Sequence, residues 1–340
     1  MSLQIHDLAR WNHVSLVLGG CIWGVVALAS LFGWLVLNDL QVVLLLALFV
    51  ITPLAVPLVL RPKEDHFLSQ LSALVLFLQP LASLLGGVAF FLDTGLLAAT
   101  FAVVWFLFTG LLALIGLVRL CQMLRQQRTS LADLCLAVAW LYLPIGSTWM
   151  VLARWGLQPL GFGVHTDLLT AVHFHFIALA ALIITGLTGQ SIHTTRTTQH
   201  GIFRTAYRIA ALGVLIDPLL VAAGLTIAQV TSLHFLDTAP ADLLALSLIL
   251  ISLLGLHFVV PTTTSRFAQV LLILSYTTVF FTMLFAGAYT LGGATGVWTI
   301  TIPQMIAIHG LENALVFGFC GLLGWRIKTA QGKVRGEECA

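Results

Sequence analysis

Long apolar runs separated by short polar links repeat along the whole chain of 340 residues. Ten of these runs are about 20 residues long, which is the length that a helix needs to cross a bilayer. The pattern therefore predicts an all-α fold, a polytopic bundle of transmembrane helices. Because the links are short, we expect one integral membrane domain over residues 1–340. The predicted spans are 14–36, 40–60, 68–91, 96–118, 132–153, 165–187, 205–227, 241–260, 267–290 and 303–325.

The positions of Lys and Arg test the number of spans. With ten spans, 14 of the 15 Lys and Arg residues fall on one side of the membrane, and Arg154 alone falls on the other. Positive residues concentrate in the cytoplasmic loops of membrane proteins. We therefore expect both termini in the cytoplasm and a multi-pass protein of the cell (inner) membrane.

The composition narrows the class of protein. Hydrophobic residues make up 59% of the chain and charged residues 8%, whereas a soluble domain has about 25% charged residues. The lipid bilayer is therefore the first partner, and no basic patch predicts binding to nucleic acid. The five cysteines include no CxxC pair, so they indicate neither a disulfide framework nor a structural zinc site.

Residues 165–176, HTDLLTAVHFHF, bring three histidines and an aspartate into the sixth span. Ionisable groups in a spanning helix are costly and face a protein interior or a wet cavity. On a helix, Thr170 and His173 share one polar face with Asp167 beside it, while His175 points to nearly the opposite side. One helix thus offers two imidazoles to two different neighbours.

Three spans carry ionisable groups at a common depth. A rise of 1.5 Å per residue puts His173, His175, Asp217, His309 and Glu312 between the middle of the membrane and its outer leaflet. His309, Glu312 and Asn313 also share a face, because their spacing is i, i+3, i+4. We therefore expect His173, Asp217, His309 and Glu312 to line one cavity.

The sequence also resembles a known family. The runs LLTAVHFHF and HGLENALVFGFCGLLGW resemble motifs of the YndJ-like integral membrane proteins, bacterial proteins sometimes labelled as transporters. The resemblance covers chiefly the second half of the chain and matches His173, His175, His309, Gly310 and Asn313. The two carboxylates at the common depth are not part of these motifs. The resemblance implies a membrane protein and names no reaction.

The first functional interpretation is an intramembrane enzyme that uses acid–base chemistry. A carboxylic acid, Glu312 or Asp217, would donate a proton and a histidine, His309 or His173, would accept one. The substrate would be lipophilic and undergo isomerisation, cyclisation or hydration. The remaining polar residues are candidates for binding a cofactor or substrate, namely His175, Asn313, Asp167 and Thr170.

Two other interpretations stay open. In a secondary transporter of a small solute, Asp217 or Glu312 would couple transport to protons. In a haem- or metal-binding protein, His173 and His175 would be ligands, since they resemble the HFH run of haem-copper oxidases. The sequence requires no cofactor and leaves a metal ion or haem open, since imidazole binds zinc, copper and iron.

Overall fold

Helices make up all of the regular structure that the computed structural model describes, over residues 5–59, 65–127, 129–194, 200–230, 235–296 and 300–338. Ten of these helices are long and apolar enough to cross a membrane, which confirms the predicted all-α fold. They are α1 (Arg10–Leu31), α2 (Asp39–Val59), α3 (His66–Phe91), α4 (Leu96–Arg125), α5 (Leu131–Trp155), α6 (Val164–His193), α7 (Gly201–Gly224), α8 (Thr238–Val259), α9 (Arg266–Gly292) and α10 (Met305–Gln331).

The helices form two compact units. The first unit contains residues 1–128 and 137–179, and the second contains 129–136 and 180–340. The chain therefore passes from one unit to the other three times, before α5, inside α5 and inside α6. The predicted single integral membrane domain over residues 1–340 stays a prediction.

Helix α2 is the most buried span of the first unit. Its sequence is apolar on every side, which is typical of a helix surrounded by others, and its neighbours in this unit are α1, α3 and the first half of α6. A capping box starts the helix: Asn38 accepts from the Gln41 backbone N–H, and the Gln41 side chain accepts from the Asn38 N–H. The polar start and the apolar remainder thus fix both the position and the burial of α2.

Arg154, the exception to the one-sided distribution of positive charge, is buried at the end of α5. Its Nε donates to the Ala89 carbonyl at 3.0 Å and its Nη2 to the Leu92 carbonyl at 2.6 Å. These carbonyls lie at the C-terminal end of α3, where a cation also interacts favourably with the helix dipole. Arg154 therefore caps a helix and is not a free loop charge.

Replacing Arg154 by leucine is expected to lower the free energy of unfolding by about 1.5–3 kcal/mol, the usual value of hydrogen bonds made by a charged group. Denaturant titration of the purified protein measures the loss. Arg125→Leu is the control, because Arg125 is exposed and should change stability by no more than about 0.5 kcal/mol. Equal losses in the two variants would mean that the Arg154 cap contributes nothing.

Five segments within the spans are π-helical, a feature that the sequence analysis does not predict. π-helical turns are rare and are frequent at functional sites. They lie in α2, α6, α8 and α10, and those of α10 surround the histidine and asparagine of the last motif. The segments are Ala47–Ile51, Phe176–Ala181, Gly255–Val259, Met305–Gly310 and Asn313–Cys320.

Tyr276 of α9 is the polar centre of the second unit. Its side chain is fully buried, and its hydroxyl hydrogen-bonds Thr188 at 2.8 Å and accepts from Trp325 Nε1 at 3.2 Å. Ser252 donates to the Tyr276 backbone carbonyl at 2.6 Å. Gly255 packs against the tyrosine ring, where any Cβ would overlap the ring. Tyr276 thus joins α6, α8, α9 and α10 in this unit.

Candidate functional site

His175 is held in the first unit by Trp105 of α4. Both side chains are fully buried; Trp105 Nε1 donates to His175 Nε2 at 3.0 Å, and the two rings are stacked with centroids 6.2 Å apart. The second ring nitrogen, Nδ1, lies 2.7 Å from the Ala171 carbonyl. A carbonyl can only accept, so Nδ1 carries the proton and the ring is neutral.

Because both ring nitrogens of His175 are occupied, no lone pair remains for an iron or another metal ion. The geometry therefore does not support the predicted cofactor-binding role of His175, nor the resemblance to the HFH run of haem-copper oxidases. His175 joins helices in the interior of the first unit. The place of His175 in the HFH motif is therefore explained by its packing against Trp105 as well as by its polarity.

Two glycines allow this close packing. A Cβ at Gly146 of α5 would lie 2.7 Å from Phe174 Cβ and 2.9 Å from His175 Nδ1. A Cβ at Gly86 of α3 would lie 2.8 Å from Trp105 Cβ. Small residues let membrane helices approach closely, and here they bring α3, α4, α5 and α6 together around one tryptophan–histidine pair.

Asp167 lies on the face of α6 that His175 occupies, and not beside His173 as the helical-wheel argument predicts. Asp167, Ala171 and His175 are all buried, with the i, i+4, i+8 spacing of one helical stripe. Neither carboxylate oxygen of Asp167 has a hydrogen-bond partner within the described ranges. Asp167 is thus a buried carboxyl group near the start of its helix.

His173 and Thr170 lie on a half-buried face of the same helix. The Thr170 hydroxyl donates to the Thr166 carbonyl at 2.9 Å, a bond within its own helix. His173 belongs to the first unit, whereas Asp217, His309 and Glu312 belong to the second. The prediction that His173 joins these three residues in one cavity stays a prediction.

Asp217 is fully buried on α7 of the second unit. It lies one turn after Gly213, which packs so closely on Ser247 of α8 that a Cβ would overlap the serine hydroxyl. Neither carboxylate oxygen of Asp217 has a hydrogen-bond partner among the residues that the structure describes. Pro218 follows it within the helix. An unpartnered carboxyl group therefore lies inside a spanning helix, on the side that faces its neighbours.

His309 and Asn313 of α10 are tied to a single residue of α9, Thr282. His309 Nδ1 lies 3.1 Å from the Thr282 carbonyl, and the Thr282 hydroxyl donates to Asn313 Oδ1 at 2.7 Å. Thr282 and Asn313 are buried, and His309 is half-buried. The two motif residues of α10 thus share one partner on the adjacent helix.

Glu312 is exposed on α10, although it was predicted to be a proton donor to a neighbouring histidine. The side chain of His309 hydrogen-bonds a backbone carbonyl, and Asp217 has no hydrogen-bond partner in the described part of the chain. No hydrogen bond joins His309 to Glu312 or Asp217 there, and a histidine–carboxylate pair that includes His173 stays a prediction. Shared depth on different helices does not by itself bring side chains into contact.

Replacing Glu312 by glutamine is expected to change the free energy of unfolding by no more than about 0.5 kcal/mol, because the change breaks no contact of an exposed side chain. Thermal unfolding of the purified protein, followed by tryptophan fluorescence, measures the effect. A large loss of stability would show that Glu312 has a partner that holds the fold together.

The described residues also include no group of three or more His, Cys, Asp or Glu side chains placed to hold a metal ion. The metal-binding interpretation therefore gains no support from this part of the chain.

Two residues that the sequence analysis did not name, Trp105 and Thr282, hold the motif residues in place. Trp105 is one of nine tryptophans, and Thr282 is one hydroxyl residue in an apolar span. Nothing in the sequence therefore distinguishes either residue as a partner of the motif histidines.

Comparison with known proteins agrees with the motifs. The family model described as YndJ-like protein matches residues 42–317. A relative named uncharacterized membrane protein YndJ, from Bacillus subtilis (strain 168), is 28% identical over 315 residues, covering 91% of this chain and 53% of the relative. The chain thus spans about half the length of that relative, and no solved structure matches it. With most of its length matched, this multi-pass membrane protein belongs to the YndJ-like family.

Proposed function

We propose that the protein is a proton-coupled carrier of a small solute in the cell (inner) membrane, with Asp217 as the proton-binding group. The observation that carries this proposal is the burial of both Asp217 carboxylate oxygens without a hydrogen-bond partner in the described residues. An ionised carboxylate in such surroundings is far more costly than the neutral acid. Buried acids of this kind form proton relays in pumps and transporters.

The position of Asp217 along α7 supports the same function. The helix runs from His200 to Val230, so Asp217 lies 17 residues after its start and 13 before its end, about 20 Å of helix from the nearer end. Exchange of a proton with water at this depth requires a conformation that opens the site. A carrier supplies such a conformation in each transport cycle, and the proton then crosses with the solute.

The acid–base enzyme has less support. That interpretation needs a histidine paired with a carboxyl group, whereas the His309 contact is a backbone carbonyl and Glu312 is exposed. Haem or metal binding has less support again, because both nitrogens of His175 are occupied.

The concentration of positive residues on one side supports both termini in the cytoplasm.

Dicyclohexylcarbodiimide, a lipophilic reagent for protonated carboxyl groups, tests the proposal in proteoliposomes that contain a pH-sensitive dye. Solutes are added one at a time, and acidification of the lumen reports proton entry. We expect one class of solute to drive acidification, the reagent to stop it, and mass spectrometry to find the adduct on Asp217. Asp242 is the internal control, because its carboxylate accepts a hydrogen bond from Thr290 at 2.6 Å and should react less.

The same vesicles distinguish a carrier from an enzyme. Lipid extracts taken before and after incubation show whether any membrane-soluble compound has been converted. Conversion of a compound without acidification, or modification that spares Asp217, would contradict the carrier and favour the enzyme.

A further inference from the structure

His309 keeps one ring nitrogen for a ligand. Its Nδ1 lies 3.1 Å from the Thr282 carbonyl, and since a carbonyl only accepts, Nδ1 is the donor and the neutral ring carries a lone pair on Nε2. Nε2 has no hydrogen-bond partner among the described residues. His309 therefore presents a hydrogen-bond acceptor at the surface of α10.

Asn313 keeps a donor. The Thr282 hydroxyl lies 2.7 Å from Asn313 Oδ1 and 3.3 Å from the Val279 carbonyl, so its proton goes chiefly to the shorter contact. The asparagine amide nitrogen, Nδ2, is then directed away from Thr282. It is buried and has no hydrogen-bond partner in the described ranges, a costly state for an amide group.

Gly310, which lies between these two residues in sequence, leaves open space on the same turn of α10. A Cβ built at Gly310 would meet a single atom within 4 Å, the Met305 carbonyl oxygen at 3.8 Å. The surrounding backbone is π-helical over Met305–Gly310 and again from Asn313, and π-helical turns often accompany ligand sites. An unused acceptor and an unused donor thus lie four residues apart on α10, with open space at the glycine between them in sequence.

We propose that His309 and Asn313 bind the hydroxyl group of a membrane-soluble alcohol. A hydroxyl is the smallest group that both donates and accepts, so its proton would go to His309 Nε2 and its oxygen would accept from Asn313 Nδ2. His309 lies seven residues after Ile302, where the helical segment begins, about 10 Å along the helix, where an amphiphile reaches it through the bilayer.

Charge favours this class of ligand over an acid or a phosphate. From Met305 to Trp325, α10 contains no Lys or Arg, and its one acidic side chain is that of Glu312. An anionic head group would meet no opposite charge within this stretch of α10 and a like charge nearby. The inference deepens the proposed function by naming a ligand group, and it stands on contacts that do not involve Asp217.

Photolabelling of the full chain in lipid nanodiscs tests the proposal. The probe is a long-chain alkanol with a diazirine near its hydroxyl, and mass spectrometry maps the labelled residues. We expect labelling around His309, and we expect 1-dodecanol to compete at about one tenth of the concentration that dodecyl methyl ether needs, because the ether cannot donate a hydrogen bond. Equal competition by the ether would overturn the proposal.

Two variants separate binding from folding. His309→Asn retains an amide N–H where Nδ1 bonds the Thr282 carbonyl but has no counterpart of Nε2, so we expect the competition constant for 1-dodecanol to rise about tenfold with thermal stability unchanged. Asn313→Leu should have the same effect on binding. Thr282→Val is its matched control, since it breaks the same bond between α9 and α10 while leaving both ligand atoms, and labelling should persist.

If His309→Asn binds 1-dodecanol as the unaltered protein does, the hydroxyl site is refuted. The outcome is independent of the carrier: dodecanol-specific labelling in a protein without solute-driven proton entry would reject the proposed function alone. Proton entry with no preference for the alcohol over the ether would reject the hydroxyl site alone.

Discussion

Replacing Trp105 by alanine is expected to lower the free energy of unfolding by about 3–5 kcal/mol, the usual cost of removing a large buried aromatic side chain. Trp105 is fully buried, stacks on His175 and donates its N–H to His175 Nε2. The variant therefore leaves both a cavity and an imidazole nitrogen without its donor. Denaturant titration of the purified protein, followed by circular dichroism, measures the loss.

Trp105→Phe reduces the cavity, because it keeps an aromatic ring while it removes the donor and part of the indole; we expect a loss of about 1–3 kcal/mol. Trp34→Ala is the matched control, since Trp34 is 78% exposed and should change stability by about 0.5 kcal/mol or less. If the effects of Trp105→Phe and His175→Leu are simply additive in the double variant, the hydrogen bond is not a significant part of the fold.

Replacing Asp217 by asparagine is expected to reduce solute-driven proton entry to the level of protein-free liposomes, because the amide cannot carry the proton. The free energy of unfolding should change by no more than about 1 kcal/mol, since the carboxyl group has no hydrogen bond to lose in the described structure. The pH-sensitive dye inside proteoliposomes and thermal unfolding of the same preparation measure the two quantities.

Asp242→Asn gives the opposite pattern and serves as the control. Its carboxylate accepts from the Thr290 hydroxyl, so the substitution should weaken that hydrogen bond, by about 1 kcal/mol, and leave proton entry intact. If proton entry survives in Asp217→Asn and disappears in Asp242→Asn, the proton-binding group is Asp242, and its assignment to Asp217 is wrong.

The number and positions of the helices could be predicted because each depends on a local property of the sequence. A run of about 20 apolar residues identifies a span wherever its neighbours lie. The one-sided distribution of Lys and Arg checks the count. The prediction of span 6 as 165–187 thus agrees with a helix over Val164–His193, differing mainly at its end, where polar residues continue the helix.

The contacts of the candidate site could not be predicted in the same way. Depth along a helix follows from residue number, but the direction of a side chain depends on which neighbour the helix packs against. Asp167 turns to the His175 face because α6 buries that stripe, and Glu312 stays exposed although His309 and Asn313 are near it in sequence. Thr282, which hydrogen-bonds both His309 and Asn313, belongs to no recognisable sequence motif.

The cap formed by Arg154 also bears on how the chain is inserted during synthesis. The Ala89 and Leu92 carbonyls precede Arg154 by 65 and 62 residues, so the ribosome delivers the acceptors before the donor. When α5 enters the membrane, α3 already offers a docking place for the guanidinium group, and the earlier parts of a chain generally fold first. With both termini in the cytoplasm, as proposed, Arg154 has to cross the membrane, and its cap makes that passage compatible with the orientation signal of the other loops. Shortening the end of α3 would return this charge to the loop and oppose its passage across the bilayer.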